Sequence, residues 1–187
     1  MAPSRACRFY RRSIKGGMTL RIHVSLLAAA GLAAASAAFA VEVGQPMPAV
    51  PIAQPFTKGG ESVNIGAFRG KVLYVDFWAS WCVPCRTSMP ALESLYAKYK
   101  DRGFVVVGVN KDDRWTDAER FLQKYPASFP LASDVDEKIV KTFAVPAMPS
   151  GYLIDRKGVV RQVHTGFTAE TGQVLDREID SLLKAAP

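Results

Sequence analysis

Lys71-Val72-Leu73-Tyr74-Val75-Asp76-Phe77-Trp78 is an almost unbroken apolar, β-branched and aromatic run, the pattern of a strand buried on both faces. A short turn through Ala79-Ser80-Trp81 follows it, and Cys82 to about Tyr99 then predicts a helix, with Leu92, Leu95, Tyr96 and Tyr99 at helical spacing. Pro84 suits the first turn of that helix, whereas Pro90 lies inside it and predicts a kink. Phe104 to Val109 repeats the buried-strand pattern, and Arg114 to Tyr125 predicts a second helix that ends at Pro126. Phe129 to Ala132 predicts a short strand and Val135 to Phe143 a short helix. Gly151 to Ile154, the turn Asp155-Arg156-Lys157-Gly158 and Val159 to Val163 read as an antiparallel hairpin. A final helix, capped by Thr168 or Thr171, carries the stripe Val174, Leu175, Ile179, Leu182 and Leu183.

Strand–helix alternation that closes on a hairpin and a helix predicts an α/β domain, a mixed sheet with helices on both faces. Ahead of it, Pro46, Pro48, Pro51, Pro55, Gly59 and Gly60 predict an extended lead-in with edge strands at best, near 50–53 and 61–64. The chain shows no internal repeat and no second domain.

Charge changes the picture only by its location. The formal charge is +7, but Arg5, Arg8, Arg11, Arg12, Lys15 and Arg21 all precede residue 41, where no acid occurs; 18 basic and 17 acidic residues remain. That balance gives no support to a nucleic-acid partner. Basic residues, then an apolar run from Val24 to about Ala38, then Ala38-Phe39-Ala40 before Val41, form the pattern of a cleaved export signal. Residues 1–40 are therefore read as a signal peptide, with an uncleaved membrane anchor as the alternative, and 41–187 as the mature domain, located in the periplasm. Met18 offers a better-proportioned start, and Arg11-Arg12 resembles a twin-arginine signal set too far from the apolar run.

Cys7 leaves with such a leader, so the mature chain keeps Cys82 and Cys85, two residues apart in Cys82-Val83-Pro84-Cys85. The loop they close is too short to stabilise a fold much, so the pair reads as redox or metal chemistry. At a helix start the first sulfur lies beside unsatisfied N–H groups and the positive dipole end, which favour the thiolate. The second cysteine, one turn on, can close the ring. Cys82 then attacks a substrate disulfide and Cys85 resolves the mixed disulfide.

With Val75-Asp76-Phe77-Trp78 and Trp81 before it, the segment resembles the active site of the thioredoxin superfamily. The Pro-rich lead-in, a central insertion and the export pattern resemble its TlpA/ResA-like branch, over roughly residues 45–185. The resemblance implies a thioredoxin-like three-layer α/β/α sandwich with an N-terminal extension and a central helical insertion. It makes Cys82 an exposed nucleophile, Cys85 a buried resolving thiol and Trp81 the aromatic over the site. Pro149 falls where the family keeps a cis-proline, so Trp81, Val83, Pro84, Met148 and Pro149 become the surface that meets substrate. Asp76 falls where the family has a buried acid that moves the proton of the resolving thiol; burial raises such a carboxyl toward neutral pH.

Two positions depart from the pattern. Ser88 stands where many relatives carry Glu, and Ala147-Met148-Pro149-Ser150 lacks the Gly-x-Pro-Glu of cytochrome-c-maturation reductases. Val83-Pro84 lacks the His of strongly oxidising pairs, which favours a reductant of protein disulfides. The implied cofactor set is empty apart from the Cys82–Cys85 disulfide, and the implied partners are protein disulfide substrates and a membrane thiol donor, with the protein a monomer. Apocytochrome thiols, copper-site cysteines and misbridged proteins are all open as targets. Alternatives on the same pair are a Cu(I) or Zn chaperone and a thiol oxidase or isomerase. A closed zinc site needs four ligands, and the mature chain adds only His164, read as a surface residue. The run Lys111-Asp112-Asp113-Arg114 is read as a solvated helix start.

Overall fold

The computed structural model describes residues 41–50, 53–56 and 61–185. The export-signal reading of residues 1–40 lies outside the described residues, as do positions 51–52 of the lead-in. The elements are β1 (Gln54–Pro55), β2 (Val72–Trp78), α1 (Cys85–Tyr99), β3 (Phe104–Asn110), α2 (Trp115–Leu122), β4 (Leu131–Ser133), α3 (Lys138–Phe143), β5 (Ser150–Ile154), β6 (Val160–Thr165) and α4 (Ala169–Lys184). Six strands form one mixed sheet in the order β1-β4-β3-β2-β5-β6. The strands β2, β3 and β4 run parallel, and β5, β6 and β1 are antiparallel to their neighbours.

Side chains alternate across β2, which divides the core in two. Val72, Tyr74 and Trp78 pack with Cys85, Met89 and Leu92 of α1, Phe121 of α2, and Leu175 and Ile179 of α4. Leu73, Val75 and Phe77 pack on the opposite face with Ile139 and Phe143 of α3 and with Met47, Ala53 and Ile65 of the lead-in. Helices cover both faces, giving the three layers expected of an α/β sandwich. On α1 the buried set Cys85, Ser88, Met89, Leu92, Leu95 and Tyr99 follows helical spacing. Lys98 and Tyr99 both bond Asp176, tying α1 to α4.

Several boundaries differ from the sequence reading. The first helix begins at Cys85, not Cys82: the Cys82 and Val83 carbonyls accept only i→i−3 turn bonds, from Cys85 and Arg86. The first i→i−4 bond runs from the Ser88 N–H to the Pro84 carbonyl, which makes Pro84 the N-cap. Helix α1 also runs through Pro90 unbroken; the missing N–H frees only the carbonyl of exposed Arg86 one turn earlier. Helix α2 stops at Leu122, and α3 starts at Lys138 rather than Val135, since the Asp134 carboxylate accepts from the Ile139 and Val140 N–H groups and sets the start of the helix. Strand β4 begins two residues later than expected, and β6 extends to Thr165. The lead-in forms only the two-residue β1 and a single bridge between Ala53 and Val63. Both capping candidates serve α4: Thr168 accepts from the Thr171 N–H, and Thr171 Oγ1 accepts from the Thr168 N–H.

Candidate active site

The strand–turn–helix from β2 to α1 carries the two cysteines. Cys82 sits in a turn whose N–H donates to the Ala79 carbonyl, and its own carbonyl accepts from Cys85 N–H. The two sulfurs are joined in a disulfide at the mouth of α1. The expectation of an open Cys82 needs correction: it is only 3% exposed and Cys85 is 0%, whereas the flanking Trp81 and Val83 are each 63% exposed. The tight turn tucks both sulfurs into the core and turns the neighbouring apolar side chains outward. Pro84 beside them is exposed as well.

A second buried acid, missed in the sequence, anchors this turn. Asp112 accepts from the Ser80 N–H (2.9 Å), the Ser80 hydroxyl (2.8 Å) and the Asn110 amide (2.8 Å), while its N–H donates to Asn110 Oδ1. Asp112 is buried, so the run from Lys111 to Arg114 is not simply a solvated helix start. The available signal was Asn110-x-Asp112 at the C-terminal end of a central parallel strand, where α/β sheets place their functional loops.

The segment before β5 holds Met148 and Pro149, joined by a cis peptide bond. The Pro149 carbonyl accepts from Gly166 N–H, and the Ser150 hydroxyl donates to the Ala147 carbonyl (2.7 Å). Met148 is half-buried and packs against the cluster that contains Cys82 and Cys85. Ser88 is fully buried and donates to the Cys85 carbonyl at 3.4 Å.

Asp76 is 1% exposed, and neither carboxyl oxygen has a hydrogen-bond partner among the described residues. It alternates with Tyr74 and Trp78, so it faces the layer of α1 and α4, the side that holds Cys85. Burial without a counter-charge pushes its pKa well above the ordinary carboxylate range. No cationic side chain among the described residues pairs with it.

Asp76 belongs to a register row, Gly108–Asp76–Gly151–His164, across four adjacent strands. Both glycines leave gaps that larger groups fill. A Cβ at Gly151 would lie 1.8 Å from the Tyr74 hydroxyl, and one at Gly108 would lie 2.8 Å from Leu131 and 3.1 Å from Trp78 Nε1. The Tyr74 hydroxyl therefore occupies the place of a side chain between Asp76 and His164, roughly one strand spacing, ~5 Å, from the Cβ of each. His164 is not a surface residue: its side chain is 10% exposed, its ring lies 6.3 Å from that of Tyr74, and its Nε2 lies 3.7 Å from Glu178 Oε2 on α4. The β5–β6 pairing turns this position inward. Burial lowers the His164 pKa and raises that of Glu178, with Arg177 opposing the latter. The Tyr74 phenol is raised well above its usual value by burial, then by Asp76 and Glu178.

Comparison with known proteins fits this geometry. The sequence pattern of the Redoxin family matches residues 42–181. A relative named thiol-disulfide oxidoreductase ResA, from Bacillus thuringiensis subsp. konkukian, is 35% identical over 103 residues, 55% of this chain and 60% of that protein. The chain thus spans under two thirds of the length of several of the curated relatives it matches. Another ResA, from Geobacillus kaustophilus, is 31% identical over 66% of this chain and 70% of its own. Among solved structures, a Chlorobium tepidum protein assigned as thiol:disulfide interchange protein DsbE superimposes with a TM-score of 0.69 at 39% identity, covering 76% of this chain and 99% of that one.

Proposed function

The chain belongs to the Redoxin family, and from that premise we propose that it is an exported thiol–disulfide oxidoreductase that reduces protein disulfides through Cys82 and Cys85. The observation that carries this reading is the enclosed disulfide at the mouth of α1 on the same side of β2 as a buried, unpartnered acid. In the reduced protein the Cys82 thiolate attacks one sulfur of a substrate disulfide, forming a mixed disulfide and releasing the first substrate thiolate. Cys85 then gives up its proton and attacks the Cys82 sulfur, which releases the second thiolate. The substrate gains two electrons; of the two protons its thiolates take up, one is the Cys85 proton and the other comes from solvent, and the protein returns to the bridged form described here.

Asp76 takes the Cys85 proton. A carboxyl kept out of water and unpaired has the raised affinity that a base working near neutral pH requires. Trp81, Val83 and Pro84 present the apolar rim on which a substrate chain rests, and Met148 with Pro149 lines its far side, Met148 as an adaptable contact. Restoring the dithiol calls for an electron donor, for which a membrane thiol protein is the fitting class. Export rests on the basic–apolar–Ala38-Phe39-Ala40 pattern of the leader. No helix of the described residues is long and apolar enough to cross a membrane.

An insulin-type disulfide-reduction assay tests the activity: turnover abolished by Cys82→Ala, and a trapped mixed disulfide with Cys85→Ser, are the expected results. A redox titration gives the direction, with a midpoint near about −270 mV expected for a reductant and near about −120 mV for an oxidant. One equivalent of Cu(I) or Zn held without turnover would replace the enzyme reading with that of a metal chaperone.

A further inference from the structure

Beside the redox turn lies a groove of about 450 Å³ that the exchange chemistry leaves unused. Ser80, Arg86, Arg120 and Lys124 line it together with Phe121 and Tyr125. Ser80 is two residues before Cys82, and Arg86 directly follows Cys85, so one end of the groove adjoins the disulfide. The volume falls within the roughly 300–1,000 Å³ usual for binding sites.

The charge in this groove is one-sided. Three cationic side chains line it against one carboxylate, that of Asp117, which Arg120 (2.8 Å) and Arg114 (2.9 Å) already hold. Among the described residues Arg86 and Lys124 have no ion-pair partner within 4.0 Å; both are exposed. Residues 41–187 are nearly neutral, with 18 basic and 17 acidic side chains, so this is a local concentration rather than a share of general basicity. The aromatic part of the lining is anchored in the core: the rings of Phe121 and Tyr125 lie 4.8 Å apart, and Phe121 packs 5.2 Å from Trp78 in the core next to the cysteines. Cationic and aromatic side chains in one lining suit a chain that carries carboxylates and an apolar side chain together.

We propose that this groove seats an acidic segment of the polypeptide whose disulfide is exchanged at Cys82, with its carboxylates meeting Arg86, Arg120 and Lys124. The groove then selects among protein substrates, while the disulfide itself is indifferent to what flanks the bond. This assignment rests on the oxidoreductase reading above, and the experiment separates the two.

Two disulfide-bonded peptides, identical except for Glu or Gln flanking one cysteine, are compared with hydroxyethyl disulfide, a small neutral substrate. The expected result is a kcat/KM about tenfold or more higher for the Glu peptide, an advantage that shrinks as ionic strength rises from about 0.05 to about 0.5 M. The double variant Arg120→Gln, Lys124→Glu is expected to remove that advantage and to leave hydroxyethyl disulfide within about twofold of wild type. A Ser-for-Cys version of each peptide, unable to react, reports the groove alone by calorimetry on the oxidised protein. Tighter binding of the Glu version, lost in the double variant, is expected. Equal binding or equal kcat/KM for the Glu and Gln peptides would overturn the groove assignment whatever the activity. Failure to reduce hydroxyethyl disulfide, with Glu-selective binding intact, would sink the oxidoreductase reading and spare the groove.

Discussion

Replacing Asp76 by Asn removes a buried carboxyl while keeping its shape, and the effect on stability follows from the environment of the side chain. Asp76 is 1% exposed, has no hydrogen-bond partner among the described residues, and has its folded-state pKa raised well above 3.8 by burial alone. In the unfolded chain it ionises near the ordinary Asp value, about 3.9. Between that pH and the higher folded midpoint, the folded state binds a proton that the unfolded state has lost. Wild-type stability therefore falls as pH rises through this window, by up to ~1.4 kcal/mol per pH unit, and levels off above the folded midpoint. Asn does not titrate. Its amide leaves a buried polar group without partners at a cost of about 1–3 kcal/mol, but that offset is the same at every pH. The slope, not the level, is thus the readout. Urea unfolding of the oxidised wild-type and Asp76→Asn proteins at half-unit steps from pH 5 to pH 8 should show the variant gaining on wild type as pH rises, with equal m-values. A stability difference that stays flat across the range would refute the reasoning, because it would mean that the folded protein ionises Asp76 as easily as water does.

The same register row predicts the opposite slope for its other end. Burial lowers the His164 pKa, so the unfolded chain takes up a proton below about pH 6.5 that the folded one refuses, and wild type loses stability as pH falls. His164→Gln should gain on wild type at acid pH in the same denaturation series, and a parallel pair of curves would count against a buried neutral imidazole. Gly151→Ala forces a methyl against the Tyr74 hydroxyl, so thermal unfolding should show a loss of about 1–3 kcal/mol or more. Asp112→Ala frees the turn that bears the disulfide and strips the partners of Ser80 and Asn110. A stability loss of about 2–3 kcal/mol should accompany disulfide exchange that is slowed but still measurable, and an unchanged rate would disconnect Asp112 from the site.

Local chemistry was legible in the sequence to an unusual depth. The buried run ending in Phe77-Trp78, the turn, and Cys82-Val83-Pro84-Cys85 before a periodic helix determined the α/β class, the central strand and the position of the sulfurs. These signals lie within a few residues of one another, and turn sterics, helix ends and burial act at that range. Helix limits were less legible, because Pro84 and the Asp134 carboxylate move the true starts away from the hydrophobic pattern.

Contacts between distant segments were decided by the tertiary structure alone. Asp112 looked like one charge in a solvated run until β3 carried it beside Ser80, 32 residues away in the chain. His164 looked exposed until β5–β6 pairing aligned it with Gly151 and Asp76, and α4 brought Glu178 within 3.7 Å. The groove needed the first turn of α1 and the end of α2 with the turn after it brought to one place to gather Arg86, Arg120 and Lys124. Periodicity shows which way a side chain faces, but pairing register and helix packing choose its neighbours. Those neighbours determine whether a carboxylate is a solvated charge, a buried acid or an anchor.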